Sequence, residues 1–349
     1  MTKVYQPPFT ITPTIIRLIS NISEQLGRLA ALNNDGEDEK NLRLRRINRI
    51  RTIQGSLAIE GNTLSEQQIT AIFEGKRVIA PPKEIQEVRN AIKAYEQFEN
   101  WQPGNEKHLL QAHQVLMTGL IDEVGHYRNG NVGVMNGDVV VHMAPPANRV
   151  AKLMHDLMDW LSHTDQHPLI TSSVFHYEFE FIHPFADGNG RMGRLWQTLI
   201  LSQWNPLLAQ LPVESMVYEH QSAYYQAINL STQKTDSAPF IEFMLGVILA
   251  TIESGSDNAS SQVTPQVTPQ VTPQVRSLLS LMFNKPNGLN RDELQQALEL
   301  KDRKSFRNRY LQPALEIGLI EMTIPNKPNS RLQQYRLTEL GQKLVETFH

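Results

Sequence analysis

The sequence contains no cysteine among its 349 residues. This absence excludes a disulfide framework, a thiol nucleophile and any zinc site built on thiolates, and it fits a reducing compartment. The sequence also lacks a run of the ~18 apolar residues that a membrane helix needs. Its first residues lack the basic start and unbroken apolar stretch of a signal peptide. We therefore expect a cytoplasmic protein with no membrane partner.

A large excess of charge of one sign is lacking as well. The chain has 33 basic and 36 acidic residues, for a formal net charge of −3. This balance excludes a chain that coats nucleic acid along its whole length as a polycation. Hydrophobic residues make up 40% of the chain, which is enough to bury a core. The length exceeds that of one average domain, so two or three units are expected.

One segment, residues 254–275, departs from a globular pattern. It contains Val-Thr-Pro-Gln three times in succession, from Val263 to Gln274. Proline at every fourth residue blocks a helix, and the segment has nothing with which to build a core. We predict an extended, semi-stiff linker, although Thr-Pro repeats also serve as phosphorylation or docking sites. The predicted regions are an N-terminal helical region, a central domain, the linker and a C-terminal domain: 1–99, 100–253, 254–275 and 276–349.

The chain before the linker is predicted to be mainly α. A three-residue apolar period indicates one amphipathic helix across about 40–62. The segment 125–143 differs, because four glycines punctuate it and three valines in a row favour extended backbone. It predicts a hairpin-like flap. The other segments with a helical period are 86–99, 106–120, 147–163, 168–182, 190–204, 215–230 and 238–253.

The C-terminal domain, 276–349, has a pattern of its own. Three helices followed by two strands around a turn-rich stretch resemble a winged helix, so a small α+β domain is predicted. The predicted helices and strands are 278–283, 292–300, 304–317, 319–324 and 333–337. Basic residues concentrate on and just before the third helix: Lys301, Arg303, Lys304, Arg307 and Arg309. Such a helix suits DNA phosphates, but a solvated face or a protein-docking module explains it equally well.

The stretch from His183 to Arg194 carries the chemistry. It reads His-Pro-Phe-Ala-Asp-Gly-Asn-Gly-Arg-Met-Gly-Arg. Pro184 disfavours helix in the residue before it, so an apolar helix is expected to end at His183. A Gly-Asn-Gly turn follows, and a new helix is expected to begin near Gly190. Glycines at a loop-to-helix junction let backbone N–H groups approach an anion, which the partial positive charge of a helix N-terminus also attracts.

The side chains of this stretch complete a constellation for phosphate chemistry. Arg191 and Arg194 are three residues apart and project from neighbouring turns, and two guanidiniums suit several phosphates. Asp187 is a hard oxygen ligand that suits Mg²⁺. His183 is the side chain best suited to accept a proton near neutral pH. Together they suggest the attack of a hydroxyl on a nucleotide phosphate.

These twelve residues match without a gap the signature of the Fic family, His-Pro-Phe-x-Asp-Gly-Asn-Gly-Arg-x-x-Arg, and residues 100–250 carry the domain resemblance. The resemblance implies a Fic helical domain with a β-hairpin flap and a protein adenylyltransferase that uses ATP and Mg²⁺. It assigns His183 as the base that deprotonates a Ser, Thr or Tyr hydroxyl, and Asp187 as the Mg²⁺ ligand. It assigns the anion-binding turn to Gly188, Asn189, Gly190 and Arg191, the γ-phosphate contact to Arg194, and a structural anchor to Phe185.

Two further segments resemble parts of the same family. Gly125-His126-Tyr127-Arg128 begins the flap 125–143, where an exposed strand could pair with the backbone of a target protein and position its hydroxyl. Tyr218, His220, Tyr224 and Tyr225 follow the core helices, where relatives place an aromatic side chain against adenine. We take Tyr225 as the candidate for this contact.

A third resemblance concerns regulation. The residues from Ser56 to Asn62 match the inhibitory pattern of the family, Ser/Thr-x-x-x-Glu-Gly/Asn. Ser56 and Glu60 share one helix face because they are four residues apart. The resemblance implies that Glu60 pairs with Arg194 in place of the γ-phosphate. A carboxylate competes directly with phosphate for the same guanidinium.

Three hypotheses for the function remain at this point. The first is an enzyme that transfers AMP to protein hydroxyls, its own included, and that could also remove it. The second is a DNA-binding regulator whose Fic part senses nucleotide and whose 276–349 segment contacts DNA. The third is a toxin-like module, against which the inhibitory glutamate in the same chain argues. The sequence leaves open the target protein and whether two chains form a homodimer.

Overall fold

A computed structural model describes residues 5–32, 39–136, 139–260, 273–283, 285, 288–298, 306–316, 318–324 and 333–346. The chain divides into two compact units, Met1–Ser261 and Gln262–His349. We call them unit 1 and unit 2. None of the helices in the described parts of the chain is long and apolar enough to cross a membrane.

Unit 1 is a helical unit, as the sequence predicts. Its helices are α1 Pro13–Leu32, α2 Glu39–Ile59, α3 Glu66–Phe73, α4 Pro82–Gln97, α5 Glu106–Met117, α6 Ala147–His163, α7 Pro168–Ile182, α8 Asn189–Trp204, α9 Val213–Glu219, α10 Gln221–Lys234 and α11 Ala238–Ser260. Two short 3₁₀ turns lie at Phe98–Asn100 and Pro206–Gln210. Helices α1 and α3 were not among the predicted helices.

Helices α7 and α8 form the centre of unit 1. Twelve of the fifteen residues of α7 are buried, so this helix lies inside the core. Helix α7 begins at Pro168, where a proline costs no hydrogen bond, and its N-cap His167 accepts a hydrogen bond from the Leu169 N–H. It ends at His183, immediately before Pro184, as predicted. The α7–α8 junction therefore lies at one end of the central helix pair.

Helix α2 docks against α9 through a glycine. A Cβ at Gly55 would come within 2.7 Å of the backbone of Glu214 and Ser215, so only glycine permits this approach. The Ser215 hydroxyl also donates a hydrogen bond to the Arg51 carbonyl oxygen, at 2.9 Å. The helix predicted across about 40–62 is therefore packed into unit 1, with Ile53 and Leu57 buried.

The predicted flap contains a two-stranded antiparallel hairpin. Strand β1, Gly133–Asn136, pairs with β2, Val139–Met143, and the register shifts between Val134 and Met135. Ahead of the hairpin, the Arg128 side chain is buried and bonds to backbone carbonyl oxygens, including those of Pro145 and, at the end of α7, His183. The base of the flap is thereby fixed to the rest of unit 1.

Unit 2 combines short helices with one hairpin. Its elements are α12 Pro273–Met282, α13 Arg291–Ala297, a π-helical turn Arg307–Leu311, α14 Gln312–Glu316, β3 Ile320–Met322, β4 Tyr335–Leu337 and α15 Glu339–Glu346. Strands β3 and β4 are antiparallel. The hairpin lies within the predicted strands, whereas α15 was not predicted. The expected third helix, 304–317, is helical throughout its described residues 306–316, with the π-helical turn inside it.

The linker expected over 254–275 is shorter at both ends in the structure. Helix α11 continues to Ser260, because 254–260 contains no proline that would end it. Helix α12 already begins at Pro273, a residue type that is tolerated in the first turn of a helix. Most of the Val-Thr-Pro-Gln repeat lies outside the described residues.

Candidate active site

The loop between α7 and α8 has two residues in the left-handed region. His183 closes α7 with φ 50° and ψ 61°, and Gly188 precedes α8 with φ 82°. A left-handed histidine is uncommon, and such strain accumulates at functional sites. Helix α8 begins at Asn189, one residue before the predicted start. His183 therefore lies beside the N-terminus of α8, as the motif predicts.

The Asn189 side chain holds this loop in its conformation. Its side-chain oxygen accepts a hydrogen bond from the Phe185 N–H at 2.8 Å, and its side-chain nitrogen donates to the Phe185 carbonyl oxygen at 2.9 Å. Phe185 is fully buried, which confirms its predicted structural role. With both polar ends of the Asn189 side chain engaged, its backbone N–H is the group left for an anion.

His113 on α5 is a residue that the sequence analysis missed. Its Nδ1 accepts a hydrogen bond from the Gly125 N–H at 2.9 Å, so its Nε2 carries the proton and donates to the Asp187 carbonyl oxygen at 3.0 Å. Burial lowers its pKa to about 4, so the ring is neutral. Its ring also stacks on Phe185 at 3.7 Å. His113 therefore joins the start of the flap to the anion loop.

Arg194 is almost fully buried and is held by α2. Its Nε donates to the Ser56 hydroxyl at 3.1 Å, and its terminal nitrogen donates to the Ser56 carbonyl oxygen at 2.9 Å and to Glu60 Oε1 at 2.7 Å. Burial acts to lower the pKa of Arg194, but the Glu60 carboxylate outweighs it and the pKa lies above its ordinary value. The predicted Ser56, Glu60 and Arg194 therefore meet at one point.

Gly190 makes room for this contact. A Cβ at this position would collide with Glu60 Oε1 and would lie 3.0 Å from a terminal nitrogen of Arg194. Glu60 thus enters the first turn of α8, over the N–H groups that the sequence analysis assigned to phosphate. The carboxylate occupies a place that is suited to an anion.

Arg191 is also buried, but its partners are looser. Its terminal nitrogens lie 3.5 Å from Glu87 on α4 and 3.5 Å from Asp187. Its Nε has no hydrogen-bond partner among the described residues. Glu87 in turn accepts a hydrogen bond from the Asn62 side chain at 2.8 Å. Arg191 is therefore a buried cation whose guanidinium can still donate hydrogen bonds to a ligand.

Asp187 and Tyr225, two further predicted site residues, have less defined surroundings. Asp187 accepts a hydrogen bond from the Gly188 N–H at 2.6 Å, and 47% of its side chain is exposed. No group of three or more potential metal-ligating side chains occurs among the described residues. Tyr225 is half-buried, and burial followed by the nearby Glu60 raises its pKa. It thus lies near the docked glutamate, and its contact with adenine stays a prediction.

Two more groups complete the site, the fully buried His176 and the largely buried Glu180, and the sequence analysis missed both. Glu180 on α7 lies 3.9 Å from His183, measured from its Oε2 to the imidazole Nδ1. His176 donates from Nδ1 to Gln197 at 2.6 Å and accepts at Nε2 from the Tyr224 hydroxyl at 3.1 Å. A signal for Glu180 existed, because a glutamate in a largely apolar helix is seldom buried unless it has a partner.

Comparisons with known proteins agree with this geometry. The model of the "Fic/DOC family" matches residues 103–201, and that of "Filamentation induced by cAMP protein Fic-like, C-terminal domain" matches residues 273–338. The chain is 52% identical to a Fic family protein of solved structure from Desulfovibrio desulfuricans G20. That match covers 96% of this chain and 99% of the other, with a TM-score of 0.69.

Two curated relatives are similar over a shorter stretch. "Protein adenylyltransferase Fic" of Nematostella vectensis is 29% identical over 217 residues, which cover 58% of this chain and 47% of the relative. "Protein adenylyltransferase fic-1" of Caenorhabditis briggsae is 32% identical over 205 residues, which cover 54% of this chain and 38% of the relative. The chain spans less than half the length of these two relatives.

Proposed function

This chain belongs to the Fic family, and on that premise we propose that it is a protein adenylyltransferase that moves AMP from ATP to a hydroxyl group of a protein. The observation that carries the proposal is the α7–α8 junction. It places His183 beside the N-terminus of α8, from which two buried arginines project. The names of the curated relatives support the same activity.

Each group of residues at the α7–α8 junction has a separate role in the proposed reaction. The N-terminus of α8, around Gly188 and Gly190, binds the phosphates through backbone N–H groups. Arg191 and Arg194 neutralise their charge. His183 removes the proton from the acceptor hydroxyl, whose oxygen forms a bond to the α-phosphorus while the bond to pyrophosphate breaks. Most of the catalysis is positioning and charge stabilisation, as in phosphoryl transfer generally.

Asp187 would hold Mg²⁺ with the phosphates. Its half-exposed carboxylate fits this task, because Mg²⁺ is commonly held by one or two carboxylates together with substrate phosphates and waters. When bound there, the ion would neutralise phosphate charge. Its neighbour His113 fixes the backbone carbonyl of Asp187, which restricts where the carboxylate can reach.

We also propose that the chain restrains itself through Glu60, and we call the contact of Glu60 with Arg194 the brake. Its carboxylate pairs with Arg194 at 2.7 Å and enters the space above Gly190. A γ-phosphate bound to Arg194 would need the same guanidinium, so ATP bound beside Glu60 would be misaligned for attack. Release of α2, or of the Glu60 side chain alone, would restore the site.

The acceptor is proposed to be a Ser, Thr or Tyr hydroxyl of a target protein that docks on the flap 125–143, or of the chain itself. The hairpin of β1 and β2 offers an edge to which an extended segment can add. DNA binding by 276–349 and the winged-helix comparison stay predictions. Lys301, Arg303 and Lys304 lie outside the described residues.

Transfer is tested with ATP labelled at either the α- or the γ-phosphate. The purified protein is incubated with each, alone and with a cytoplasmic lysate. Label from the α-position but none from the γ-position is expected on protein, with an AMP-sized adduct in the mass spectrum. Label from the γ-position would mean phosphate transfer, and no label from either, also with Glu60→Gly, would reject the activity.

A further inference from the structure

Glu180 is a largely buried carboxyl group inside the site, and it has no role yet in the proposed reaction. Its side chain is 12% exposed, and Oε2 lies 3.9 Å from His183 Nδ1. Its other oxygen, Oε1, is buried and has no hydrogen-bond partner among the described residues. Burying a carboxyl with an unsatisfied oxygen is costly, so a residue that serves packing alone would be a poor choice here.

The space for Glu180 is built into helix α8. A Cβ at Gly193 would lie 2.9 Å from Glu180 Oε1 and 2.9 Å from a carbon of the His176 ring. Any larger residue at position 193 would therefore press the carboxyl away from the site. The absence of a side chain at Gly193 therefore leaves room for the Glu180 carboxyl between the two helices.

The neighbours of Glu180 show which partner it serves. The titratable and charged groups that face it are His176 and His183 on or next to α7, Arg194 on α8, Glu60 on α2, and Tyr224 and Tyr225 on α10. Arg194 already bonds to Ser56 and Glu60. His176 donates its one proton to Gln197, so it has none for Glu180. The imidazole of His183 is the remaining group that gains a charge during the reaction.

We propose that Glu180 is a positioning residue of the transfer reaction, which orients the His183 ring through Nδ1 and stabilises it once the ring has accepted a proton. With Nδ1 directed towards Glu180, Nε2 is left to accept the proton of the target hydroxyl. A carboxylate behind a catalytic histidine holds its tautomer and offsets the charge that forms. The inference rests on the proposed function.

The charge of this carboxyl depends on whether Glu60 occupies the site. Burial, offset in part by Arg194 and reinforced by Glu60, raises the pKa of Glu180 to about 8. Loss of Glu60 from the site removes one cause of that rise. The carboxyl therefore ionises more readily when the brake is released, and a positive charge on His183 favours ionisation further.

The test uses the full chain with Glu60→Gly as the parent, so that transfer is measured without the brake. Glu180→Gln should lower kcat about 10- to 100-fold, part of the ~10²–10⁴-fold that general-base assistance supplies, with the KM for ATP within about threefold. The acid limb of the pH–rate profile should move to lower pH, because the carboxylate that favours a protonated His183 is gone. An unchanged rate and pH profile would overturn the proposal.

Two variants separate positioning from folding. Glu180→Met replaces a poorly partnered carboxyl with an apolar side chain of similar length, so the protein should melt at the same or a higher temperature while activity still falls. Glu178→Gln is the matched control on the same helix. Glu178 is buried and accepts a hydrogen bond from the Tyr5 hydroxyl at 2.9 Å, so its loss should affect stability and leave the pH–rate profile unchanged. Loss of activity in proportion to lost stability would contradict the proposal.

A second measurement does not depend on transfer. In protein with isotope-labelled histidine, the NMR titration of His183, assigned with His183→Ala, should have a lower midpoint in the Glu180→Gln variant than in the parent. An identical midpoint would reject the contact. If the parent transfers no AMP while the midpoint still moves, the proposed function has failed and the contact between Glu180 and His183 stands.

Discussion

The two units of this chain bury very different side chains. In unit 2, the buried core consists of apolar residues such as Leu278, Phe306 and Ile320, and the buried polar residues among those described are Gln295 and Gln333. Unit 1 buries arginines, glutamates and histidines, and most of them lie around the α7–α8 junction and the helices that contact it. Buried charge is costly unless it is partnered, so its concentration in one unit indicates where the chemistry takes place.

The largest effect on AMP transfer is expected when the base of unit 1, His183, is removed. His183→Ala should lower AMP transfer by about 10²–10⁴-fold, the usual value of general-base assistance, while ATP binding is nearly unchanged. The measurement is the incorporation of α-labelled AMP together with ATP affinity by calorimetry. His163→Ala, an exposed histidine on α6, serves as the control. Activity of His183→Ala within tenfold of wild type would remove His183 from this role.

The next effect is an increase in activity. Glu60→Gly should raise transfer about ten- to thousand-fold, because Arg194 becomes available to align the γ-phosphate. Adding Arg194→Ala should abolish the gain. The measurement compares initial rates of AMP incorporation at equal concentrations of folded protein.

A matched control for the brake lies on α4. Glu87→Gln removes the carboxylate that is 3.5 Å from Arg191, and it should change the rate much less than Glu60→Gly. Equal gains from both would mean that removing negative charge matters and the specific contact with Arg194 does not. Unchanged or lower activity in Glu60→Gly, with ATP affinity unaltered, would leave α2 as a packing helix.

A smaller effect concerns stability against pH. Burial raises the pKa of Glu178 to about 7 and that of Glu180 to about 8. A carboxyl whose pKa is higher in the folded than in the unfolded state binds its proton more tightly when the protein is folded. Its contribution to stability is complete below the unfolded pKa and is lost as the pH rises through the folded pKa. Buried neutral His113 and His176 have lowered pKa values and destabilise the fold only as the pH falls below ~6.5. The melting temperature should therefore fall from about pH 6.5 to about pH 8.

Tryptophan fluorescence can test this in the intact chain, because all four tryptophans lie in unit 1. The combined variant Glu178→Gln and Glu180→Gln should flatten the fall above pH 6.5. Unit 2 offers no buried carboxyl among its described residues, so its own transition should not show this fall. A fall of the same size in the double variant would assign it to other groups.

The smallest expected effect is that of removing unit 2. Deletion of 262–349 at the unit boundary should leave unit 1 folded and able to transfer AMP at a rate within about twofold of the full chain, since independent units have few contacts across a linker. The readouts are a cooperative fluorescence melt and the rate of self-modification in the Glu60→Gly background. Loss of solubility or of a cooperative melt would show that the two units share a core.

The sequence predicted the parts of the site that are local along the chain. His183, Asp187 and Arg194 lie within twelve residues, and their geometry follows from one proline, two glycines and two helices. The pairing of Glu60 with Arg194 was predictable by resemblance, although the two are 134 positions apart. The flap hairpin could be predicted from its glycines and valines.

The missed residues depend on contacts between distant segments. Nothing in the sequence near His113 indicates that its ring will bridge Gly125 and Asp187, since this requires α5 to pack on the anion loop. Glu87 meets Arg191 only because the fold brings α4 within side-chain reach of α8. The end of α11 was missed for a different reason, because a polar serine-rich stretch without proline is compatible with both helix and linker.

Gly190 has a consequence for how this protein can change under selection. The missing side chain admits Glu60, and the same gap would admit a phosphate, so any substitution there obstructs both occupants at once. A genetic screen for hyperactive variants should therefore recover changes at Ser56 and Glu60, and none at position 190. The brake can be lost by mutation of α2, whereas the gap that it fills has to be preserved in every active descendant.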